Sequence, residues 1–155
     1  MNRSMEAVLA QHPLLEGWLE GVKTVTGCAR IVAFDAGKLL LTEGEGADTL
    51  YLVRRGTVSI EIHAPGTGPL VIDRIGPGGV VGWSWLFPPY RWHFDARAVG
   101  PVGTIAVDGV CLRNKAEKEP AFGYELMRRL SAVLLERLQA TRVRLLDLYG
   151  RGAPT

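Results

Sequence analysis

From Ile31 to Val107 short β-prone runs alternate with turn residues, and this punctuation most narrows what the chain can fold into. Ile31–Phe34, Lys38–Thr42 and Leu50–Val53 are each closed by turn formers: Asp35-Ala36-Gly37, Glu43-Gly44-Glu45-Gly46 and Arg55-Gly56. Thr57–Ile62 alternates strictly, with Val58, Ile60 and Ile62 on one side, the signature of a half-buried strand. Ala64–Pro69 reads as a loop, and Leu70–Ile75, Trp92–Val99 and Val102–Val107 as further strands. Many short strands with glycine-rich turns predict a sandwich, jelly roll or barrel. No repeat with a period of about 20 to 50 residues is present, which argues against a solenoid or propeller.

Both flanks are helical in pattern. Before Gly27, Ser4 can cap a first turn, and Leu9, Pro13, Leu14, Leu15, Trp18 and Leu19 recur at roughly helical spacing. After the strands, Asp108 can cap a short helix to about Glu119, and Pro120 marks a break. From Ala121 to Tyr149 there is no proline and one glycine, Gly123. Met127, Leu130, Leu134, Leu138, Thr141, Leu145 and Leu148 fall at three- and four-residue steps, one largely apolar stripe on a helix roughly 43 Å long. Such a helix outreaches a core of this size, so part of it should lie beyond that core or against a second copy. The expected division is 1–28 helical, 29–107 β-roll, 108–150 hinge helix and long helix, and 151–155 disordered tail.

Bulk properties exclude several classes. The 155 residues suit one domain, and the balance of 18 basic against 16 acidic side chains lacks the excess of a duplex-binding surface. Cys28 and Cys111 match no zinc or redox spacing and read as two buried thiols. The N-terminus lacks the apolar core of a signal peptide, and no apolar run is long enough to span a bilayer, so the expected setting is cytoplasmic with no membrane contact.

Enzyme readings fail. Gly82-Trp83-Ser84-Trp85-Leu86 lacks the second glycine of a nucleophile elbow, and His12, His63 and His93 are isolated from one another, so neither catalysis nor a metal site is expected. Two binding candidates remain. Gly76-Pro77-Gly78-Gly79-Val80-Val81-Gly82 runs into a possible helical turn at Trp83–Phe87, either a cradle of free N–H groups for an anion or a plain turn between strands. Trp83–Phe94 holds three of the four tryptophans together with Phe87, Tyr90 and Phe94. That cluster can wall a pocket for a planar group, fill a core, or face a partner.

These motifs together resemble a known family. Ala36-Gly37-Lys38, then Glu43 through Val58, resembles the opening of a cyclic-nucleotide-binding domain of the catabolite activator/Fnr type; Ile75–Gly82 resembles the approach to its phosphate-binding cassette, and Arg137-Leu138-Gln139-Ala140-Thr141 its dimerising C-helix. The resemblance implies a mainly β fold with flanking helices: a double-stranded β-helix, or jelly-roll-like β-roll, with short N-terminal helices and a long C-terminal dimerisation helix. It implies a homodimer through residues 121–149 and a ligand, cyclic AMP or another cyclic nucleotide, between roll and helix. The phosphate site would comprise Gly82, Trp83, Ser84, Trp85 and Arg91 or His93, with Thr141 and Arg142 as the C-helix contact. Trp83 stands where the family has a glutamate for the ribose hydroxyl, and an indole donates but cannot accept. The phosphate arginine falls on Arg91 by order, or on Trp92 or His93 if no gap is allowed. Family transcription factors continue into a winged helix-turn-helix, whereas this sequence ends at Thr155, so direct contact with nucleic acid is not expected and the signal would pass to an unknown protein partner. Arg128, Arg129, Arg137, Arg142 and Arg144 read as a solvated helix face. Three functions follow: a ligand-responsive regulatory module, an interaction domain whose pocket is plugged by Trp83 and its neighbours, or a sensor of a planar effector other than a nucleotide.

Overall fold

The computed structural model describes the backbone of residues 2–152 and the side chains of 5–150. Helix α1 (Asn2–Ala10), a 3-10 turn (Pro13–Leu15) and α2 (Leu19–Thr26) precede eight strands: β1 (Ala29–Phe34), β2 (Leu39–Leu41), β3 (Thr49–Arg55), β4 (Val58–Ala64), β5 (Gly68–Ile75), β6 (Val80–Val81), β7 (Asp95–Ala98) and β8 (Val102–Asp108). A 3-10 turn (Ser84–Leu86) lies between β6 and β7, and α3 (Gly109–Lys118) and α4 (Pro120–Gly152) follow β8. Helix α1 begins at Asn2, so Ser4 lies inside it rather than at its cap. Arg151 and Gly152, expected in the tail, belong to α4, and 153–155 lie outside the described residues.

Two four-stranded antiparallel sheets, ordered β1-β8-β3-β6 and β2-β7-β4-β5, form the expected β-roll. Between them lies one core of Leu40, Leu41, Val53, Val58, Ile60, Ile75, Val81, Trp92 and Ala96 with their neighbours. A second core, Leu9, Leu15, Val22, Leu50, Leu52, Trp85, Ile105, Val107, Leu112, Leu126 and Leu130 among others, joins the first sheet to the helices. That sheet is therefore covered on both faces, and β8 is buried from Val102 to Val107.

Strand β4 departs from simple alternation. Val58 and Ile60 enter the inter-sheet core, but Ile62 is 36% exposed while Ser59 and Glu61 are buried. Its pairing with β5 shifts register between Ile60 and Glu61, and its pairing with β7 ends at Glu61, so the hairpin tip projects past the sheet. Glu61 is held inside by Ser59 Oγ at 2.8 Å and by Arg97 Nε at 3.2 Å. The strand expected from Trp92 starts only at Asp95, because Trp92 turns to pair with the Gly44–Glu45 backbone. Strand β6 falls within what read as a glycine turn.

The two cysteines are a disulfide, not free thiols. The register Ala29↔Val107 brings Cys28 beside Asp108, whose N–H donates to Cys28 O, and Cys111 sits three residues on in the first turn of α3. Separation in sequence hides this proximity, since strand pairing alone creates it.

His12 fixes the glycine-rich segment to the N-terminal turn. It is 4% exposed; its Nδ1 accepts from Leu14 N–H at 3.1 Å, and its Nε2 donates to Gly79 O at 3.2 Å. Both bonds suit the neutral ring, and burial lowers its pKa below the ordinary 6.5, partly offset by the bond to Gly79. The native state then binds fewer protons than the unfolded chain just below pH 6.5, so this contribution is full above that pH and is lost as pH falls. In urea unfolding, wild type should lose more stability between pH 7.5 and 5.5 than His12→Asn; equal losses would show that His12 does not carry the dependence.

Candidate functional site

The cassette segment is built around two tryptophans pointing into different cores. Strand β6 is followed by Gly82, where φ is +100° and an added Cβ would lie 2.9 Å from both Thr49 O and the Trp92 ring. A glycine is required there on both counts. Trp83 caps the following 3-10 turn with its backbone only and packs half-buried on the helix-side core. Ser84 is half-buried, and its carbonyl accepts from Phe87 N–H at 3.3 Å. Trp85 is 1% exposed and donates Nε1–H to Gly82 O at 3.0 Å. Its side chain lies over Gly109, where a Cβ would approach to 2.8 Å, and its carbonyl accepts from Arg113, whose guanidinium lies 4.2 Å above the Tyr90 ring. Helix α3 is thus seated directly on the cassette.

The remaining expected contacts diverge. Trp92 is 5% exposed inside the roll, against Gly82. Arg91 lies at the surface and donates to Gly44 O at 2.9 Å, while Tyr90 and Trp92 bond the Gly44–Ala47 backbone. His93 is exposed. Thr141 Oγ1 donates to Arg137 O at 2.8 Å, within its own helix, and Arg142 is exposed. Among the described residues, one pair of these eight is joined by a hydrogen bond, Trp85 to Gly82.

The polar contacts between roll and long helix are made by residues outside that set. Arg137 donates to Val80 O at 2.9 Å and to Asp73 Oδ2 at 3.1 Å. One turn pair later Arg144 reaches Ile72 O at 3.1 Å and Asp73 Oδ1 at 3.4 Å. Arg129 bonds Leu14 O at 3.0 Å and Glu16 O at 2.9 Å, and lies 5.0 Å from the Trp18 ring. Glu125, bonded to Arg128 and Arg129, is held down at about 2. The solvated-face reading therefore fails for Arg129, Arg137 and Arg144: each reaches across to the body of the domain. Their steps of eight and seven residues place them on one helix face, a signal present in the sequence.

A cleft of about 640 Å³ opens between this face and the Gly76–Val80 segment. Arg74, Arg128, Arg129 and Arg137 line it with Asp73 and Glu136, and Ile75, Val80, Val133 and Ala140 give it apolar walls. Its size and mixed lining suit a small anion with an apolar or planar body. The described residues contain no cluster of histidine, cysteine or carboxylate able to hold a metal, and no helix long and apolar enough to cross a membrane.

The cyclic nucleotide-binding domain profile matches residues 31–119. A CRP-like cAMP-activated global transcriptional regulator of Mycobacterium tuberculosis is 27% identical over 151 residues, covering 97% of this chain and 66% of that protein. The chain thus spans just under two thirds of that relative's length. Among solved structures, a cyclic nucleotide-binding domain from Methylobacillus flagellatus aligns with a TM-score of 0.78 at 21% identity, covering 94% of this chain and 83% of the other. The catabolite activator protein of Thermus thermophilus aligns at 0.69 and 24% identity, covering 88% and 62%. At such identities the two structures speak for the fold. These relatives are regulators and binding domains rather than enzymes.

Asp73 is the common anchor of Arg137 and Arg144. Asp73→Ala should change global stability by only about 1 kcal/mol, since the pairs are partly exposed. It should raise amide exchange of residues 134–148 on the order of fivefold relative to residues 121–130. Unchanged exchange there would show that the ion pairs do not hold the helix down.

Proposed function

The chain belongs to the cyclic nucleotide-binding domain family, and on that basis we propose that it is a ligand-sensing regulatory module whose output is its long C-terminal helix. Residues 29–107 form the sensing unit and 108–150 the output unit in this reading. The carrying observation is the pair Arg137 and Arg144 on Asp73, bordering a cleft that an anionic effector can enter. An anion meeting Arg137 competes with Asp73, so it favours a state in which the helix sits differently on β5 and β6. The relative's printed name makes cyclic AMP the first effector to try.

A second reading is favoured by Trp92. Its ring fills the roll beside Gly82, and Trp83 brings no acceptor for a sugar hydroxyl. With the interior closed in this way, the domain would serve as a protein-interaction module that binds no cyclic nucleotide. Calorimetry with cyclic AMP, cyclic GMP and cyclic dinucleotides, at protein well above micromolar, separates the two. The sensor reading expects saturable heat with at least one of them, weakened about tenfold or more in Arg137→Ala through loss of a charge-assisted bond. No heat with any of them rejects the nucleotide-sensing form and leaves the interaction module.

A homodimer through 121–149 is proposed on the exposure of the helix stripe. Leu134 is 42% exposed and Leu148 65%, with Leu135, Leu138, Leu145 and Leu146 between them, a contiguous apolar surface of the kind that marks an interface. Sedimentation should give twice the monomer mass for wild type and the monomer mass for Leu138→Glu/Leu145→Glu. A monomeric wild type would reject this interface. We place the module in the cytoplasm, acting on a protein partner.

A further inference from the structure

We propose that Cys28–Cys111 is a thiol–disulfide exchange site through which a dithiol reductant acts on the hinge helix α3 and, through it, on the cassette. This reading goes beyond effector binding, and its readouts need no effector.

The bridge is placed to matter. Its cysteines are 83 positions apart, and all eight strands lie between them, so it closes the roll at its base. Cys28 is buried between α2 and β1, whereas Cys111 is half-buried and lines a surface cleft of about 570 Å³ with Asp108, Val110, Asn114, Lys115, Lys118 and Glu119. The Cys111 end of the bridge therefore borders an open cleft, while the Cys28 end is anchored in the core. The helix bearing Cys111 contacts the cassette at two points: Gly109 beneath Trp85, and Arg113 on the Trp85 carbonyl and the Tyr90 ring. It also meets α4 closely, since a Cβ on Gly123 would lie 2.9 Å from Ala116 O.

The chemistry closes without any further reactant. A thiolate of the dithiol attacks Cys111 Sγ, the S–S bond breaks, and Cys28 leaves as thiolate and takes a proton. The second thiol then attacks the reductant's own sulfur in the mixed disulfide. Cys111 leaves as thiolate in the first turn of α3 and takes a proton, in a cleft that Lys115 and Lys118 share with Asp108 and Glu119. The dithiol ends as a disulfide, and the protein has gained two thiols. Without the bridge, α3 keeps its Leu112 packing and its Asp108 cap but loses its covalent tie to the α2–β1 corner.

The test uses the full chain, first treated with oxidised glutathione. Alkylation and mass spectrometry should then find no reactive thiol, and two after dithiothreitol or a thioredoxin-class dithiol under native conditions. Reduction should raise amide exchange several-fold in residues 109–118 and 83–87 and leave β3 and β8 protected. Cys28→Ser/Cys111→Ser should show the raised exchange with or without reductant. Two reactive thiols persisting after oxidation would overturn the proposal, as would a bridge that resists native reduction. So would reduction of wild type that leaves exchange in both segments unchanged, whatever the folding of the double variant.

Discussion

The register of β8 is the constraint on which the other features rest. This strand pairs with β1 on one side and β3 on the other, and its residues from Val102 to Val107 are buried. Because its last pairs are Ala29↔Val107 and Thr49↔Asp108, the ends of three strands meet at one corner. Asp108 closes the strand and caps α3 through Val110 N at 2.9 Å and Cys111 N at 3.0 Å. Gly109 N donates to Asp48 O at 2.8 Å and leaves room for Trp85 above it. A slip of one residue would reverse which side chains face each core and separate Cys28 from Cys111.

Magnitudes bear on where an effector can sit. Truncating a buried aromatic residue commonly costs about 3–5 kcal/mol. A ligand entering the roll beside Gly82 would have to displace Trp92 and recover a comparable amount from new contacts. Micromolar affinity corresponds to roughly 8 kcal/mol in all, so this displacement would consume a large share of it. The cleft outside the roll demands less, because its walls are already open and an anion there need only compete with the partly exposed Asp73 for Arg137.

Much of the architecture was legible in the sequence. Turn punctuation gave a sandwich, jelly roll or barrel, which the family resemblance narrowed to a roll; Asp108 gave a helix cap and the proline-free stretch the long helix, each a local signal. Apart from the helix ends at Ser4 and at Arg151–Gly152, the misreadings were non-local. Ile62 left its expected face after a register shift, and Trp92 left its expected strand to pair with the Gly44–Glu45 backbone. The disulfide depends on strand pairing across 83 residues. At the site, Trp83 and Trp92 could be seen as departures from the family's pattern, but that Trp92 fills the roll while Arg91 turns to Gly44 depends on how the chain folds around Gly82. Arg129, Arg137 and Arg144 were hidden differently: charge on a helix defaults to solvent, and nothing local says which face lies over Asp73.

Helix α4 runs for 33 residues, about 50 Å, yet its contribution to the core ends near Leu130. Beyond that point it is held to its own domain by arginines rather than by burial. Ion pairs of this exposure are worth little individually, so the helix can exchange positions at small cost. For the proposed sensor this matters, because a few kcal/mol of differential binding would suffice to move such a helix, whereas a fully buried one would resist. The same reasoning makes the coupling reciprocal. In the proposed sensor, whatever strengthens the hold of Asp73 on Arg137 would weaken an anion that needs Arg137, and if an anion in the cleft changes the affinity of the leucine face for a partner, that partner changes the anion's affinity by the same factor.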